Sequence, residues 1–511
     1  MDWLNWADKS SHQSQFMPNQ TYDALIAHVK TTRALGQVAG LLSWDQEVMM
    51  PANGAPARAE QAAALEEVSH QRRSDQQLAG WLDELAEADL DPTQAANVRL
   101  TRRSYERTCK IPASLAAELA RTTSRAQGIW AQARAANNFA DFAPSLEQII
   151  ELKRQEAACL SGDDGNAYEA LLDDFEPGMT VAVLQPLLEG LRPRLSALRQ
   201  KIDARGAEQP IPKGRFSDEA QMALARQLAD NLGFDWQSGR LDQSVHPFSS
   251  GTSSDTRITT RIDESEPLGC LYSTVHELGH ALYEQGVAGE MGLTPVNNHV
   301  SLGVHESQSR LWENQIARSS AYCEWFAPKF LEAFPDCGLS NADDLYRAVN
   351  RVETGFIRTE SDEVHYNLHV LLRFELEREL IAGELDVADL ESEWNRRFER
   401  DFGRKVPDAA NGVLQDVHWS VGLFGYFPTY SLGNIYAAQL NLALRDRLGD
   451  VDAQLARGET AAVLAWLREN VHAHGSFYAP TELMQRASGQ ELSAGPLLDY
   501  LETKYGEMLD L

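Results

Sequence analysis

Residues 275–281 read Val275-His276-Glu277-Leu278-Gly279-His280-Ala281 and contain a His-Glu-x-x-His motif. Residues four apart lie on one face of an α-helix, so His276 and His280 can bind one zinc ion while Glu277 reaches a water molecule beside it. The surrounding apolar residues recur at three- and four-residue intervals, which predicts such a helix: Leu268, Leu271, Tyr272, Val275, Leu278 and Leu282. The motif therefore predicts a zinc-dependent hydrolase.

A catalytic zinc site needs a third protein ligand besides two histidines and a water molecule. Glu284 lies about 12 Å along the same helix from His276, which is too far for a shared metal ion. The longer zinc motif with a third histidine is also excluded, because Tyr283 and Gly286 occupy the positions of its glycine and last histidine. Another segment must supply the ligand.

The candidate is Glu306, within a second helical pattern at residues 303–313. The connection from the first helix contains Gly, Pro and Asn residues, which favour a reversal of the chain. An inward-facing carboxylate would then lie beside the two imidazoles, although spacing alone is equally compatible with a surface acid. His305 is a rival ligand, but neighbouring helical residues point about 100° apart, so only one of the two can face the metal squarely.

Composition excludes several classes of protein. With 511 residues and 43% hydrophobic content, the chain can form large cores. No apolar run reaches the roughly 18 residues of a membrane span, and the first residues lack a signal-peptide pattern. A net charge of −29 argues against a nucleic-acid surface, because phosphate binding needs clustered Lys and Arg. We expect neither a membrane nor a nucleic-acid partner.

The five cysteines indicate a reducing environment. They are scattered, odd in number and in no Cys-x-x-Cys pair: Cys109, Cys159, Cys270, Cys323 and Cys337. Such a pattern is typical of neither a disulfide framework nor a cysteine zinc site. We therefore expect a cytoplasmic protein.

Helical periodicity dominates from residue 21 to about 160 and resumes after Glu306. The Gly- and Pro-containing stretch 205–214 separates an N-terminal helical part, residues 1–205, from residues 206–511, which carry the zinc motif. Because this stretch is short, we expect two parts of one catalytic domain spanning residues 1–511.

Strand-like sequence is confined to residues 244–262, where 244–248 and 255–260 flank a Gly/Ser turn. A small hairpin or sheet is therefore expected next to the zinc helix. Taken with the helical segments, this predicts a mostly α fold with a deep central cleft and a small β-sheet beside the zinc helix.

Seven sequence blocks stand in a fixed order along the chain. They are Trp44-Asp45-Gln46 with Met50-Pro51, His246-Pro247-Phe248, Asp255-x-Arg257-x-Thr259, the zinc motif, His305-Glu306-Ser307-Gln308, Ile357-Arg358-Thr359-Glu360-Ser361-Asp362-Glu363, and Gly412-Val413-Leu414-Gln415-Asp416-Val417-His418-Trp419. With these blocks, which span nearly its whole length, the chain resembles the carboxypeptidase Taq family of metallocarboxypeptidases. One departure is Ser361, where that family has Ala; the change is small and leaves Arg358 in place.

The resemblance implies a helical fold with a cleft, similar to neurolysin-like and angiotensin-converting-type peptidases, and a homodimer. It implies removal of single C-terminal amino acids from peptide substrates, with broad specificity and a poor response to proline. It identifies His276, His280 and Glu306 as ligands of one zinc ion. The sequence leaves open whether cobalt takes the place of zinc. It identifies Glu277 as the catalytic acid.

Two further roles follow from the chemistry of peptide hydrolysis at a C-terminus. Glu277 is expected to take a proton from the attacking water and to deliver it to the leaving amine. The terminal carboxylate needs a recognition group, and the guanidinium fork of Arg358 is the candidate. The alternative for Arg358 is a structural ion pair with Glu360 or Asp362.

The segment 418–430 offers hydrogen-bond donors for the oxyanion that forms at the cleaved carbonyl. By similarity to related zinc peptidases we expect His418 and a tyrosine to serve, with Tyr426 preferred and Tyr430 as a substrate contact. Either tyrosine could equally be a core residue. Asp416, two residues before His418, is a candidate to orient a zinc-binding imidazole.

His246, Asp255 and Arg257 lie in the strand-like region, where an exposed strand edge could pair with an extended peptide. A structural salt bridge or turn contact is an equal alternative for all three.

Two other functions compete with the carboxypeptidase. An oligoendopeptidase would use the same zinc chemistry but cut internally, without a carboxylate clamp. A helical interaction protein would hold a structural or inactive zinc site, yet such sites usually have four ligands and cysteines, whereas three N/O ligands suit an open catalytic position.

Overall fold

The computed structural model describes residues 17–162, 165–206, 208–287, 289 and 292–511, which form 21 α-helices and one three-stranded sheet. The helices before the sheet are α1 (Met17–Val48), α2 (Ala55–Arg73), α3 (Gln76–Ala86), α4 (Pro92–Lys110), α5 (Ala113–Ala136), α6 (Phe139–Ser161), α7 (Ala167–Leu172), α8 (Val181–Glu189), α9 (Leu191–Arg205) and α10 (Asp218–Leu232). The strands are β1 (Gly239–Gln243), β2 (Ser249–Thr252) and β3 (Asp255–Thr260). The helices after the sheet are α11 (Pro267–Gly286), α12 (Leu302–Arg310), α13 (Ser320–Ala333), α14 (Ala342–Val349), α15 (Glu363–Ala382), α16 (Leu390–Phe402), α17 (Pro428–Leu448), α18 (Val451–Leu455), α19 (Ala461–Asn470), α20 (Pro480–Ser488) and α21 (Gly495–Leu509).

The expected fold class is confirmed: the protein is mostly helical and has one small sheet. Across the described part of the chain, no helix is both long enough and apolar enough to cross a membrane.

The two helices that carry the zinc motif and Glu306 begin at clear capping signals. At the start of α11, the Glu266 carboxylate accepts hydrogen bonds from the backbone N–H groups of Leu268 and Gly269, and Pro267 takes the first helical position. At the start of α12, the Ser301 hydroxyl accepts from the Val304 N–H. Local sequence therefore determines where both helices begin.

The sheet has the strand order β1-β3-β2, with β1 parallel and β2 antiparallel to β3. It lies against α11, where the Thr260 hydroxyl donates to the Cys270 carbonyl at 2.9 Å. The expected sheet beside the zinc helix is confirmed, but the expected strand at 244–248 is wrong. That segment is the connection after β1, and its Pro247 has no N–H to give to a sheet.

The hydrophobic interior is divided unequally. A large cluster of buried side chains runs from Ala126 on α5 to Leu509 on α21 and continues without a break across residue 205. A separate small cluster joins α1, α3 and α4: Leu25, Leu78, Leu82, Leu85 and Val98. The first helices are therefore built around an apolar core of their own.

Polar contacts tie these first helices to the rest of the protein. The Arg33 guanidinium donates to the Asn297 carbonyl at 2.9 Å, and the Asn97 side chain accepts from the Val296 N–H at 3.0 Å. Between α1, α2, α4 and residues 295–302 lies a cavity of about 550 Å³, on whose wall His299 is found. This cavity borders the segment that leads into α12.

Candidate active site

Helices α11 and α12 approach closely because of a glycine inside the zinc motif. A Cβ atom on Gly279 would lie 2.7 Å from the carbonyl oxygen of Gln308, which is closer than real side chains come. On the other side of α12, Gly433 of α17 leaves room for the Glu306 side chain, since a Cβ there would lie 2.7 Å from the Glu306 Cβ. These two glycines bring Glu306 to the imidazoles.

The donor atoms of His276, His280 and Glu306 converge within 4.8 Å of one another. Glu306 Oε2 lies 3.6 Å from His276 Nε2 and 3.4 Å from His280 Nε2. Ligand atoms about 2.1 Å from a tetrahedral zinc ion are separated by about 3.4 Å, so the spacing fits one ion. The donor set of two imidazoles and one carboxylate also suits zinc.

A carboxylate holds the ring of His276. The Nδ1 atom of His276 lies 2.9 Å from Oε2 of Glu313, which belongs to a π-helical segment, Leu311–Ala317, that continues α12. Glu313 is itself bound by Arg318 at 3.1 Å. Such a contact leaves Nε2 of His276 free to face a metal. The expectation that Asp416 orients a zinc-binding imidazole is therefore wrong for this histidine.

Charge keeps Glu306 ionised. Its Oε1 atom accepts a hydrogen bond from Nε of Arg310 at 2.7 Å, while Oε2 faces the two histidines. Burial by itself would raise the pKa of Glu306, but Arg310 and His276 outweigh it and hold the pKa well below its usual value. Burial lowers the pKa of His280 to about 3, so this imidazole is neutral at neutral pH. Both groups are in the forms that bind metals.

Glu277 points into a region of negative charge. Its side chain is 8% exposed, and burial, with Glu306 and Glu313 adding to the effect, raises its pKa to about 7 against the opposing charge of His276. A carboxyl group that titrates near neutral pH can both accept and release a proton there.

His280 is held differently from His276. Its Nδ1 atom contacts Nδ1 of His305 at 2.5 Å, and Nε2 of His305 lies 2.9 Å from Oε1 of Glu284. The same Glu284 oxygen is 3.0 Å from Nδ1 of His299. The rival ligand His305 therefore lies at the edge of the His280 ring that faces away from Glu306.

A second buried group surrounds Asp416. Its Oδ1 accepts from Nη2 of Arg358 at 2.9 Å, and its Oδ2 accepts from Nε of Arg373 at 2.7 Å. A third hydrogen bond joins Arg358 Nη1 to the Tyr366 hydroxyl at 3.0 Å. Arg358 is only 4% exposed. Its partner is Asp416, and not Glu360 or Asp362 as the alternative supposed.

His418, Tyr426 and Tyr430 lie beside this group. His418 Nε2 is 3.2 Å from the Tyr430 hydroxyl, and the Tyr430 ring lies 4.7 Å from the Arg358 guanidinium carbon. Burial lowers the pKa of His418 to about 4, so its imidazole is neutral. Burial raises the pKa of both Tyr426 and Tyr430, with a smaller contribution from the charge of Glu306 in each case, so both are neutral phenols.

Of the three residues proposed from the strand-like region, Asp255 and Arg257 contact each other, and Arg257 also contacts α1. Asp255 and Arg257 form an ion pair on β3 at 2.9 Å, and the guanidinium carbon of Arg257 lies 4.2 Å from the ring centre of Trp44. His246 is exposed in the connection between β1 and β2. These contacts are of the structural kind that the alternative described.

Several residues at or around the site were not assigned from the sequence: Glu284, His299, Arg310, Glu313, Tyr366 and Arg373. A signal existed for three of them, since Glu284 follows His280 by four residues on α11, and Arg310 and Glu313 follow Glu306 by four and seven, so each shares a helix face with a candidate ligand. His299, Tyr366 and Arg373 come from separate segments, and no local spacing marks them.

Comparison with known proteins shows that the chain is similar to metallocarboxypeptidases in sequence and in structure. Residues 24–505 match the family described as carboxypeptidase Taq (M32) metallopeptidase. The chain is 42% identical to thermostable carboxypeptidase 1 of Thermus thermophilus, over 96% of this chain and 99% of the relative. It is similar in structure to an M32 carboxypeptidase from Deinococcus radiodurans, with a TM-score of 0.93 and 38% identity over 96% of this chain and 100% of that one. A metallocarboxypeptidase 1 of Trypanosoma cruzi also has a TM-score of 0.93, with 36% identity over 95% of this chain and 99% of that one.

Proposed function

Because the chain belongs to the carboxypeptidase Taq (M32) metallopeptidase family, it is a metal-dependent carboxypeptidase, and we propose that His276, His280 and Glu306 bind one catalytic zinc ion. The observation that carries this proposal is the 3.4 and 3.6 Å spacing of Glu306 Oε2 from the two Nε2 atoms. Cobalt is proposed as a working substitute, since it accepts the same nitrogen and oxygen ligands.

Zinc held by these residues would supply Lewis acidity, polarising the scissile carbonyl and making a water molecule more acidic. Glu277 is proposed to accept the proton of that water and to pass it to the leaving amine. Its position next to His276 and its pKa of about 7 support both halves of this task.

His418 and Tyr426 are proposed to donate hydrogen bonds to the oxyanion. Tyr426 is preferred as the tyrosine donor, and Tyr430, whose hydroxyl lies 3.2 Å from Nε2 of His418, is proposed as a substrate contact.

Arg358 is proposed to recognise the terminal carboxylate of the substrate. Asp416 and Tyr366 use three of its five N–H groups, so recognition must depend on the remaining two. Arg358→Ala is expected to raise KM far more for peptides with a free C-terminus than for amidated ones. Equal effects on both would remove Arg358 from this role.

His246, Asp255 and Arg257 are proposed to contact the extended part of the peptide. Arg257 is already paired with Asp255 and packed on Trp44, so His246, which is exposed, is the least engaged of the three. Substituting His246, which is exposed, by Ala tests this most cleanly through KM for longer peptides.

We further propose broad specificity with poor cleavage beside proline, a homodimer, one catalytic domain over residues 1–511 and a cytoplasmic location. Family membership supports the first three. The five cysteines, all of them free thiols, support the last.

One assay separates the carboxypeptidase from an oligoendopeptidase and from an inactive protein. The purified protein is treated with a chelator, restored with zinc or cobalt, and incubated with an N-terminally blocked peptide carrying a free or an amidated C-terminus. Metal-dependent release of single amino acids from the free peptide alone is expected. Internal fragments would favour the oligoendopeptidase, and absence of any metal-dependent cleavage would favour the inactive protein.

A further inference from the structure

Two groups of three side chains of metal-binding types lie side by side in the protein, and the distances between their ligand atoms differ. In the first, Glu306 Oε2 is 3.4 and 3.6 Å from the imidazole nitrogens. In the second, one oxygen of Glu284 lies 2.9 Å from His305 Nε2 and 3.0 Å from His299 Nδ1. The shorter spacing is that of hydrogen bonds, whereas ligands of a common zinc ion stand about 3.4 Å apart.

The positions of the protons follow from the chemistry of the imidazole ring. If His280 binds a metal through Nε2, its ring is neutral only when Nδ1 carries the hydrogen. His280 Nδ1 then donates to His305 Nδ1, 2.5 Å away, and His305 must carry its own hydrogen on Nε2. That Nε2–H donates to Glu284. In this series of hydrogen bonds, His280 donates to His305 and His305 donates to Glu284.

We propose that His305 and Glu284 are positioning residues for the metal ligand His280, acting as a two-step hydrogen-bonded support that fixes its tautomer and ring orientation. This inference rests on the proposed metal assignment of His280. The other imidazole, His276, reaches its carboxylate Glu313 directly at 2.9 Å. The two ligands of one metal are therefore supported by carboxylates at different distances, one directly and one through His305.

A second cation at Glu284, His299 and His305 is incompatible with this arrangement. A metal on His305 Nε2 would displace the hydrogen that Nε2 donates to Glu284. The ring would then be neutral only with its hydrogen on Nδ1, and it would point an N–H at the N–H of His280. The short contact between the two Nδ1 atoms excludes two facing hydrogens.

His299 shares Glu284 but lies outside the route to His280. It lines the cavity beside α1, where its side chain is 31% exposed. It therefore provides a matched control, because His299→Gln removes one partner of Glu284 and the ring that packs 4.7 Å from that of His305, but keeps the hydrogen bonds from Glu284 through His305 to His280.

The test measures zinc affinity by chelator competition in the full-length protein and three variants. His305→Phe removes the acceptor for His280 Nδ1–H and is expected to weaken zinc binding about 10- to 100-fold, as for other residues that orient a metal ligand. Glu284→Gln, whose amide oxygen still accepts a hydrogen bond but lacks the charge, is expected to cost less. His299→Gln should bind zinc like the unmodified protein. All three should keep one ion per chain.

Two further measurements separate positioning from general stability. Thermal unfolding of the metal-free variants reports structural damage, and a loss of zinc affinity at unchanged metal-free stability supports the proposal. In ¹⁵N-histidine spectra of the zinc-loaded protein, His280 should be the Nδ1–H tautomer and His305 the Nε2–H tautomer.

Three results would overturn the support proposed for His280. They are unchanged zinc affinity in both His305→Phe and Glu284→Gln, the opposite tautomer at His305, or two ions per chain with one lost in Glu284→Gln. Failure of the metal assignment itself looks different, because His280→Ala would then bind zinc as tightly as the unmodified protein.

Discussion

The proposed metal centre, formed by His276, His280 and Glu306, and the group around Asp416 are both buried clusters of ionisable side chains, and they differ in whether these side chains form ion pairs with one another. At the metal centre, Oε2 of Glu306 and the two Nε2 atoms face each other beyond the length of a good hydrogen bond. Around Asp416, both carboxylate oxygens accept short hydrogen bonds from Arg358 and Arg373.

This difference separates a candidate cation site from an ion pair that holds guanidinium groups in place. Charges that converge without closing on each other leave a place for an external cation, which supplies the missing interaction. In the closed group around Asp416, both carboxylate oxygens are taken by Arg358 and Arg373, so no cation is needed, and two N–H groups of Arg358 remain for the proposed contact with substrate. Tyr366 joins the two clusters, since its ring lies 4.3 Å from the Arg310 guanidinium carbon and its hydroxyl accepts from Arg358.

The largest expected effect is a loss of turnover on substitution of Glu277, which lies beside the proposed metal ligands. Glu277→Gln removes the proton acceptor and should lower kcat about 10²- to 10⁴-fold, while the zinc content stays the same, because Glu277 is not a ligand. Steady-state kinetics with parallel metal analysis measure both quantities. The exposed Glu60→Gln on α2 is the control and should change neither. Near-normal turnover in Glu277→Gln would contradict the assignment.

Breaking the closed cluster should act on stability before activity. Asp416→Asn leaves the buried guanidinium groups of Arg358 and Arg373 without their counter-charge, which is expected to lower the free energy of unfolding by about 3–5 kcal/mol. Denaturant unfolding of the metal-free protein measures this loss. A loss of zinc affinity with unchanged stability would show instead that Asp416 belongs functionally to the metal centre.

The approach of α11 to α12 can be tested with a pair of glycines. Gly279→Ala forces a methyl group against the backbone of α12 and should lower the free energy of unfolding by about 1–3 kcal/mol, with weaker zinc binding. Gly36→Ala on α1 has open space around it and should raise stability by about 0.5–1 kcal/mol. Equal effects of the two substitutions would show that the two helices can move apart freely.

Lowering the pH is expected to give the smallest effect. Despite the cost of burial, Arg358 and Arg373 hold the pKa of Asp416 well below its usual value. A carboxyl with a lower pKa in the folded protein stabilises it above the unfolded value of about 3.9, and this contribution is lost as the pH falls towards the folded pKa. The stability gap between the protein and Asp416→Asn should therefore narrow below about pH 4. A stability gap that widens below about pH 4 would show that folding raises the pKa of Asp416 instead of lowering it.

Prediction from sequence worked where the relevant contacts are local. The position of the zinc helix and its proline-containing start follow from spacing within one turn or two, and the structure confirms both. Placement of Glu306 beside the imidazoles needed a second helix, which the Gly- and Pro-containing connection and the family resemblance indicated. The prediction of a strand at 244–248 was wrong. The strand that pairs with β3 is β1, which ends at residue 243 and runs parallel to β3, and short-range sequence patterns do not indicate such a parallel pairing.

Within the closed cluster, the sequence marked Arg358 and Asp416 as members of separate blocks but did not join them. They are 58 residues apart, Arg358 in the turn before α15 and Asp416 just before the turn that holds His418, and only the tertiary fold brings these two segments together. The same holds for Glu284 and His305, which are 21 residues apart and meet only because α11 and α12 lie against each other.

From the sequence we could predict the helical fold class, the helix that carries His276 and His280, and the family, whereas Glu306 was singled out as third ligand only with the help of the family resemblance. Residues one helical turn apart share a face wherever the helix lies, so their chemistry can be read from spacing. Only the folded structure shows which carboxylate lies behind each imidazole and which charged groups form ion pairs with one another. These partners come from different helices, and their distances are set by how closely the backbones pack, as Gly279 and Gly433 show.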